Sequence, residues 1–313
     1  LIALTNEKLI GVRDPLGIRP LVLGELDGHY ILSSETCALD IIGASFVRDI
    51  DNGEIVVVSS EGVKSIKPFP NINARPCVFE YIYFARPDSF VNGVSVYECR
   101  KAFGRQIALE APVSADLVIP VPDSGVPSAI GYAEKSKIPF ELGIIRNHYV
   151  GRTFIEPQQS IRAFSVKLKH NANKTLVAGK RVILIDDSIV RGTTSIKIVQ
   201  MMRDAGAIEV HMRIASPPIM YPDYYGIDTP VKEQLIAANN SVEEICEFIG
   251  ADSIAFLSID GLYVAMGHSE GRNPISPKYT DHCFTGDYPT NLMDMTERKE
   301  IQQLSLLSEL SKE

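Results

Sequence analysis

The stretch VILIDDSIVRGTT, residues 182–194, decides the fold of this chain. It begins as a continuous apolar strand and ends that strand in two adjacent carboxylates, Asp186 and Asp187. A loop of small and hydroxyl side chains follows, and residues 195–206 have the spacing of an amphipathic helix. A buried strand, a tight loop and a helix in this order form the unit from which parallel α/β sheets are built.

The loop after the two carboxylates has the chemistry of an anion site. A helix N-terminus offers unpaired N–H groups and about half a positive charge, and Gly192 lets the backbone approach a ligand closely. Two aspartates would repel a phosphate, so we expect them to hold sugar hydroxyls or a hard cation such as Mg²⁺. An acidic turn before an ordinary capped helix is the plainer alternative. The residues expected around the anion are Ser188, Ile189, Val190, Arg191, Gly192, Thr193 and Thr194.

Further strand–loop–helix units surround this stretch and predict a parallel sheet with helices on both faces. The predicted strands are 116–121, 141–147, 208–216 and 253–259, and the predicted helices are 98–111, 128–137 and 241–250. Ligands of such sheets bind beyond the carboxyl ends of the strands. The loop after 116–121, which contains Asp123, Ser124 and Gly125, is therefore a second candidate binding element.

Residues 8–67 have a different pattern. Short β-rich runs alternate with turn signals such as Asp27-Gly28 and Glu61-Gly62, and residues 35–44 are the one helical candidate. This pattern predicts an antiparallel β-meander with a single short helix. The Pro- and Asn-rich segment 68–76 is a candidate boundary, so we expect three parts, 1–72, 73–265 and 266–313.

Composition excludes several classes of protein. The 313 residues include 31 Lys and Arg against 39 Asp and Glu, a net charge of −8 that repels nucleic acid. The longest apolar runs, such as 117–122, are far shorter than the roughly 20 residues that span a bilayer. Five widely spaced cysteines without a CxxC pair predict free thiols in a reducing compartment, the cytoplasm.

The long polar segment 148–171 has no firm periodicity. A loop of this length inside a compact domain is typical of a functional lid or of a linker. It is basic in an acidic chain, and we interpret it as a lid with Arg152 and Lys167 as candidate contacts to a phosphorylated ligand.

Residues 182–194 resemble the phosphoribosyl pyrophosphate (PRPP) signature of type I phosphoribosyltransferases. Other stretches resemble the glutamine PRPP amidotransferase family, also called amidophosphoribosyltransferases. They are RDPLGIRPL (13–21), SSETCALD (33–40), CVFEYIYFARPDS (77–89), RNHYVGRTFIEP (146–157) and CFTGDYPT (283–290). The resemblance implies an α+β remnant of an N-terminal nucleophile-type antiparallel sheet. It is followed by an α/β domain of the type I phosphoribosyltransferase fold, with a central parallel sheet.

The resemblance also implies a reaction. Ammonia, released from glutamine in the family's N-terminal domain, displaces pyrophosphate from PRPP and gives 5-phosphoribosylamine, the first step of purine biosynthesis. By position, Asp186 and Asp187 would hold the ribose hydroxyls, residues 188–194 the 5′-phosphate, and residues 123–125 the pyrophosphate. Mg²⁺ would be held near Ser124, Asp186 and Asp187. The family further implies a homodimer or homotetramer and inhibition by purine nucleotides.

Two departures from the family change the expectation. The glutaminase nucleophile, an N-terminal cysteine, has no counterpart, so we expect a fragment that uses free ammonia at most. Some family members bind a [4Fe–4S] cluster on four cysteines. At those positions this chain has Cys77, Asp223, Thr280 and Cys283, and two thiols predict no cluster.

Two other functions remain open at this point. A nucleobase salvage phosphoribosyltransferase would explain residues 182–194, although it would not explain residues 1–67 or the 283–290 motif. A regulator that senses PRPP without turning it over would keep the same fold and ligand. Turnover of PRPP with ammonia would separate both from the amidotransferase.

Overall fold

The computed structural model describes residues 1–147, 170–227, 229 and 231–292. The N-terminal part consists of short strands and one helix. These are β1 (Ile2–Leu4), β2 (Leu9–Val12), β3 (Val22–Leu26), β4 (His29–Ser33), α1 (Thr36–Ile42), β5 (Ser45–Asp49), β6 (Ile55–Ser59) and β7 (Gly62–Ile66).

The N-terminal strands form two antiparallel sheets, with orders β1-β2-β6-β7 and β4-β3-β5. Both predicted hairpins are present, and Asp27 and Gly28 take the positive φ angles, 51° and 79°, that a tight hairpin turn needs. The predicted meander is wrong, however, because β2 pairs with β6 rather than with β3, and because β5 was missed. Residues 13–21 carry the chain from one sheet to the other.

Alternation along β3 explains the two-sheet arrangement. Leu23 packs into the core between the sheets, together with Ile50 and Val56, whereas Val22 points to the opposite face and packs on Leu39 of α1. A strand that is apolar on both faces needs a packing partner on each face. The second sheet covers one side and α1 covers the other.

The second part begins with a π-helical turn at Glu80–Phe84 and contains longer elements. The strands are β8 (Phe90–Val91), β9 (Val94–Ser95), β10 (Leu117–Pro120), β11 (Ile144–Arg146), β12 (His170–Ala172), β13 (Arg181–Asp186), β14 (Glu209–Ile214) and β15 (Ser253–Phe256). The helices are α2 (Val96–Glu110), α3 (Val126–Ser136), α4 (Lys174–Val177), α5 (Thr193–Asp204), α6 (Ile236–Asn239), α7 (Val242–Ile249), α8 (Ile259–Ala265) and α9 (His282–Thr285).

The centre of this part is a parallel sheet of order β10-β13-β14-β15. Its inner strand β13, next to β10, is buried on both faces. Ile183 and Ile185 pack toward α2 and α3, and Val182 and Leu184 pack toward α5 and α7. The predicted parallel sheet with helices on both faces is therefore confirmed. Ser241 and Glu244 also form the capping box at the start of α7.

Two of the predicted strands differ from the structure. Strand β15 ends at Phe256, and the end of the predicted strand 253–259 instead starts α8, where the Ser258 hydroxyl caps the helix at the N–H of Gly261. Within 141–147, only β11 is a strand, and it pairs antiparallel with β12 outside the central sheet.

The segment 13–21, which connects the two N-terminal sheets, contributes to the core of the parallel-sheet domain. Ile18, Cys77 and Phe284 belong to one buried cluster, and Cys77 forms a β-bridge with Thr280. The segment after α8 is thus built into the centre of the molecule. In the part of the chain that the structure describes, the helices are too short or too polar to cross a bilayer.

Candidate functional site

The two candidate binding loops lie side by side at one edge of the central sheet. Strands β10 and β13 are neighbours and run parallel, so the loops that follow them leave at the same end. The Val121 N–H donates to the Ile185 carbonyl at 2.8 Å. A Cβ atom on Gly125 would lie 2.3 Å from the same carbonyl oxygen. Only glycine allows this first loop to sit so close to β13.

Asp186 and Asp187 stand at the carboxyl end of β13 and are 8% and 6% exposed. The Asp186 carboxylate accepts a hydrogen bond from the Asp187 N–H at 3.0 Å, and the Asp187 carboxylate accepts one from the Ser188 hydroxyl at 2.6 Å. The two acids are therefore held by their own loop, and neither has an ion-pair partner within 4.0 Å among the described residues.

Burial and mutual repulsion set the ionisation of this pair. Burial raises the pKa of Asp186 well above its usual value, and the neighbouring Asp187 charge adds to the rise. Burial likewise raises the pKa of Asp187, although the hydroxyls of Ser124 and Ser188 and the charge of Arg100 oppose the rise. A bound cation or ring of hydroxyl donors would favour the charged forms.

Helix α5 starts immediately beyond the second loop. Gly192 is its N-cap, with φ +75°, and its carbonyl accepts the Ile196 N–H at 3.0 Å. Thr193 and Thr194 are exposed at the first turn. Their backbone N–H groups have no hydrogen-bond acceptor within the helix.

The side chains of Ile189 and Val190 point away from the expected anion. Ile189 is 3% exposed and belongs to the core on the α5 side of the sheet, and Val190 packs against the opposite core. Only the backbone of these two residues can face a ligand. Arg191 is exposed, and its guanidinium donates to the Gln234 side-chain oxygen at 2.9 Å.

The first loop carries its predicted residues at the same edge. Asp123 is exposed, Ser124 is near Asp187, and the peptide bond between Pro122 and Asp123 is cis. Asp123 forms an ion pair with Arg146, which ends β11. Sequence analysis missed Arg146, yet the signal was available. A charged residue near the end of a predicted strand is the same signal that identified Asp186.

The lid candidates Arg152 and Lys167 lie outside the described residues. The remaining predicted residues, from Asp123 to Gly125 and from Asp186 to Thr194, are brought together at the ends of β10 and β13.

The oxygen donors of the site fit Mg²⁺. Mg²⁺ is commonly bound through one or two carboxylates, with water and substrate phosphates completing its shell. Asp186 and Asp187 are buried carboxylates without a cationic partner, and the Ser124 hydroxyl lies beside them. Among the described residues, no three His, Cys, Asp or Glu side chains are arranged to hold a metal by themselves.

The four positions that the sequence analysis compared with cluster ligands lie close together. Cys77 bridges to Thr280, three residues before Cys283, and Asp223 acts electrostatically on both thiols. Asp223 lies 2.9 Å from a ring nitrogen of His282, and the Thr280 hydroxyl donates to the Arg75 carbonyl at 2.5 Å.

Burial raises the pKa of Cys77 to about 12 and raises that of Cys283 well above its usual value. Neutral thiols beside an engaged carboxylate and an engaged hydroxyl make a poor set of cluster ligands. The absence of an iron–sulfur cluster stays a prediction.

A family model described as a phosphoribosyl transferase domain matches residues 95–216. The chain is 60% identical to the amidophosphoribosyltransferase of Rhizobium etli, over 98% of this chain and 63% of that protein. It is 47% identical to the Bacillus subtilis amidophosphoribosyltransferase, over 97% and 63% of the two chains. It is 55% identical to a chloroplastic one of Arabidopsis thaliana, over 92% and 50%.

A solved structure is also similar. The glutamine PRPP amidotransferase of Bacillus subtilis complexed with ADP and GMP matches with a TM-score of 0.84 at 49% identity, covering 93% of this chain and 63% of that one. The chain thus spans half to about three-fifths of the length of these relatives. The resemblance inferred from the motifs and the phosphoribosyltransferase fold are both confirmed.

Proposed function

This chain is similar to amidophosphoribosyltransferases over nearly its whole length and carries a phosphoribosyl transferase domain, and from this we propose that it transfers ammonia to PRPP. The products would be 5-phosphoribosylamine and pyrophosphate, and the reaction is a pentosyl transfer. The observation that carries the proposal is the convergence of two loops, 121–125 and 187–192, around a buried carboxylate pair at the ends of neighbouring parallel strands.

The ribose and its 5′-phosphate fit the second loop. The backbone N–H groups at the start of α5, with the Thr193 and Thr194 hydroxyls, supply donors to the 5′-phosphate. Asp186 and Asp187 would accept hydrogen bonds from the ribose hydroxyls. Their negative charge would also stabilise the positive charge that develops on the sugar as pyrophosphate leaves.

The pyrophosphate fits the first loop. Asp123, Ser124 and Gly125 border the same edge, and Gly125 brings the backbone close to β13. Mg²⁺, when bound near Ser124, Asp186 and Asp187, would neutralise charge on the departing pyrophosphate. Arg146 would gain an anionic ligand in place of, or in addition to, Asp123.

No covalent nucleophile is needed for this displacement, because positioning and electrostatic stabilisation supply the rate enhancement. Arg152 and Lys167 remain proposed lid residues that would exclude water from the reactive sugar. We also propose purine nucleotides as inhibitors, since the Bacillus subtilis relative was solved with ADP and GMP. A homodimer or homotetramer and a cytoplasmic location remain proposals. Five unpaired thiols support a reducing compartment.

Glutamine is not expected to serve as nitrogen donor for this 313-residue chain. Burial raises the pKa of each cysteine, Cys37, Cys77, Cys99, Cys246 and Cys283, so none is a ready thiolate nucleophile.

The test is pyrophosphate release from PRPP and Mg²⁺ with ammonium chloride, with glutamine, or with a panel of nucleobases. Release with ammonium alone supports the proposal. Release with a nucleobase would instead indicate a salvage enzyme, and PRPP binding without any release would indicate a sensor.

A further inference from the structure

A short segment far along the chain rests on the proposed phosphate loop. It comprises the 3-10 turn Lys232–Gln234 and helix α6, and it touches residues 190–192 at three points. The Ile236 N–H donates to the Val190 carbonyl at 2.9 Å. The Gln234 side-chain oxygen accepts from the Arg191 guanidinium at 2.9 Å. The Ile236 side chain lies 2.9 Å from where a Cβ of Gly192 would be.

One amide locks this segment into shape. The side-chain nitrogen of Asn239 donates to the carbonyls of Leu235, Lys232 and Glu233 at 2.8, 3.0 and 3.2 Å. A single exposed side chain thereby closes the turn that carries Gln234. Leu235 is fully buried in one core, which anchors the turn to the body of the domain.

Because its side-chain partner is neutral, the positive charge of Arg191 remains available to an anionic ligand. Gln234 is neutral, and among the described residues no carboxylate lies within 4.0 Å of the Arg191 guanidinium. A glutamine acceptor orients the guanidinium without neutralising it, whereas a glutamate would form an ion pair and compete with an anionic ligand.

We propose that residues 232–239 form an amide brace, in which Gln234 is a positioning residue that holds Arg191 and the loop 188–192 ready for the 5′-phosphate. Asn239 keeps the brace closed. This inference rests on the proposed phosphate site, and it assigns to Gln234 and Asn239 a role in affinity for the sugar phosphate rather than in the displacement step.

Substitutions at Gln234 test the brace, because its side chain is exposed and its loss leaves the cores intact. In Gln234→Met the acceptor is lost, and we expect the KM for PRPP to rise about threefold. In Gln234→Glu the charge of Arg191 is neutralised, and we expect a rise of about tenfold, the effect of one charge-assisted hydrogen bond. The kcat should change less than twofold in both. Asn239→Leu should resemble Gln234→Met.

The dissociation constant for ribose 5-phosphate, measured by calorimetry, gives a reading that does not depend on turnover. It should rise in the same order. The matched controls are Gln200→Met and Gln200→Glu, since Gln200 is also exposed and its side chain donates to Asp204 on the same helix, α5. In an Arg191→Met background, Gln234→Glu should add no further loss, a result that a general weakening of the fold would not produce.

The possible outcomes distinguish a failure of the brace proposal from a failure of the phosphate-site proposal. If the unmodified chain binds ribose 5-phosphate and the Gln234 variants bind it equally well, the brace is wrong and the site stands. If the unmodified chain does not bind ribose 5-phosphate, the phosphate site itself is wrong, and the brace falls with it. If Gln234→Met and Gln234→Glu instead lowered kcat and the melting temperature to the same extent as each other, Gln234 would have only a structural role.

Discussion

Asp186 and Asp187 occupy buried positions, where an ionised side chain destabilises the folded chain. They are adjacent, buried and without a cationic partner within 4.0 Å among the described residues, so ionisation of both is opposed by desolvation and by repulsion. Such an arrangement is typical of a site that is completed by its ligand. The sequence alone identifies these two acids because they follow a continuous apolar strand.

The double variant Asp186→Asn with Asp187→Asn should melt at a higher temperature than the parent chain at neutral pH without ligand. The pKa values of both acids are raised in the folded state. The resulting destabilisation is complete above those raised pKa values, declines as pH falls below them, and is gone only below the ordinary pKa of 3.8, where the unfolded chain is protonated too. Melting curves against pH should show the difference closing at acid pH.

The matched control is Asp40→Asn, because Asp40 is exposed on α1. A double variant that is less stable than the parent at neutral pH would contradict the interpretation of the pair as an unsatisfied ligand site.

Gly192→Ala should impair both stability and PRPP binding. The residue has φ +75°, and an added Cβ would lie 2.9 Å from Ile236 and 3.2 Å from Phe248. Left-handed backbone costs a non-glycine residue about 1–2 kcal/mol, and the crowding adds to it. Gly179→Ala is the control, since φ is +72° and nothing lies within 4 Å of its added Cβ.

Chemical denaturation should show a loss of about 1 kcal/mol for Gly179→Ala and a larger one for Gly192→Ala. Only the latter should raise the KM for PRPP. Equal losses in stability for Gly179→Ala and Gly192→Ala would mean that the loop 188–192 can move away from Ile236 without cost.

At the level of elements, the N-terminal sheets are tied together by one buried acid. Glu54 is 1% exposed and precedes β6. It accepts hydrogen bonds from Arg48 on β5 at 2.7 and 2.8 Å, from the Ser65 hydroxyl on β7 at 2.6 Å and from the Asp51 N–H at 2.7 Å. These four bonds lower the pKa of Glu54 to about 2 although burial opposes ionisation.

Glu54→Gln should lower the free energy of unfolding at neutral pH by about 2 kcal/mol, a value reduced for the partial exposure of Arg48. The folded pKa lies below the unfolded value of 4.5, so the contribution of Glu54 is complete above pH 4.5 and is lost as pH falls toward 2. Parent and variant should therefore converge in acid denaturation. Asp51→Asn, which removes an exposed ion pair with Lys67, should cost far less than Glu54→Gln. Parallel curves for Glu54→Gln and the parent would contradict this assignment.

Local sequence signals predict individual elements well and their partners poorly. The hairpins at Asp27-Gly28 and Glu61-Gly62 were predictable because a turn of two residues fixes its own strands. The pairing of β2 with β6 was not, because about 40 residues separate them and several antiparallel partners suit the same apolar pattern. The start of α8 was missed because its apolar residues continue those of β15 without a Gly or Pro between them.

At the level of the whole molecule, contacts span most of the chain. Arg19, next to the N-terminal sheets, donates to the Tyr225 carbonyl at 3.0 Å and pairs with Glu80 at 2.7 Å. The carboxylates and glycines of the two binding loops could be predicted from the sequence. The position of Arg146 at the end of a strand could also be predicted. Its pairing with Asp123 and the position of Gln234 beside Arg191 could not, since only the tertiary fold brings these residues together.

The most direct test of the central claim is pyrophosphate release from PRPP by this chain, with Mg²⁺ and ammonium chloride, compared with release by the Asp186→Asn, Asp187→Asn variant. If the proposed site is correct, the parent chain releases pyrophosphate and the variant releases none above background, with both proteins folded by circular dichroism. Release at the parent rate by the folded variant, or none by the folded parent chain, would contradict it.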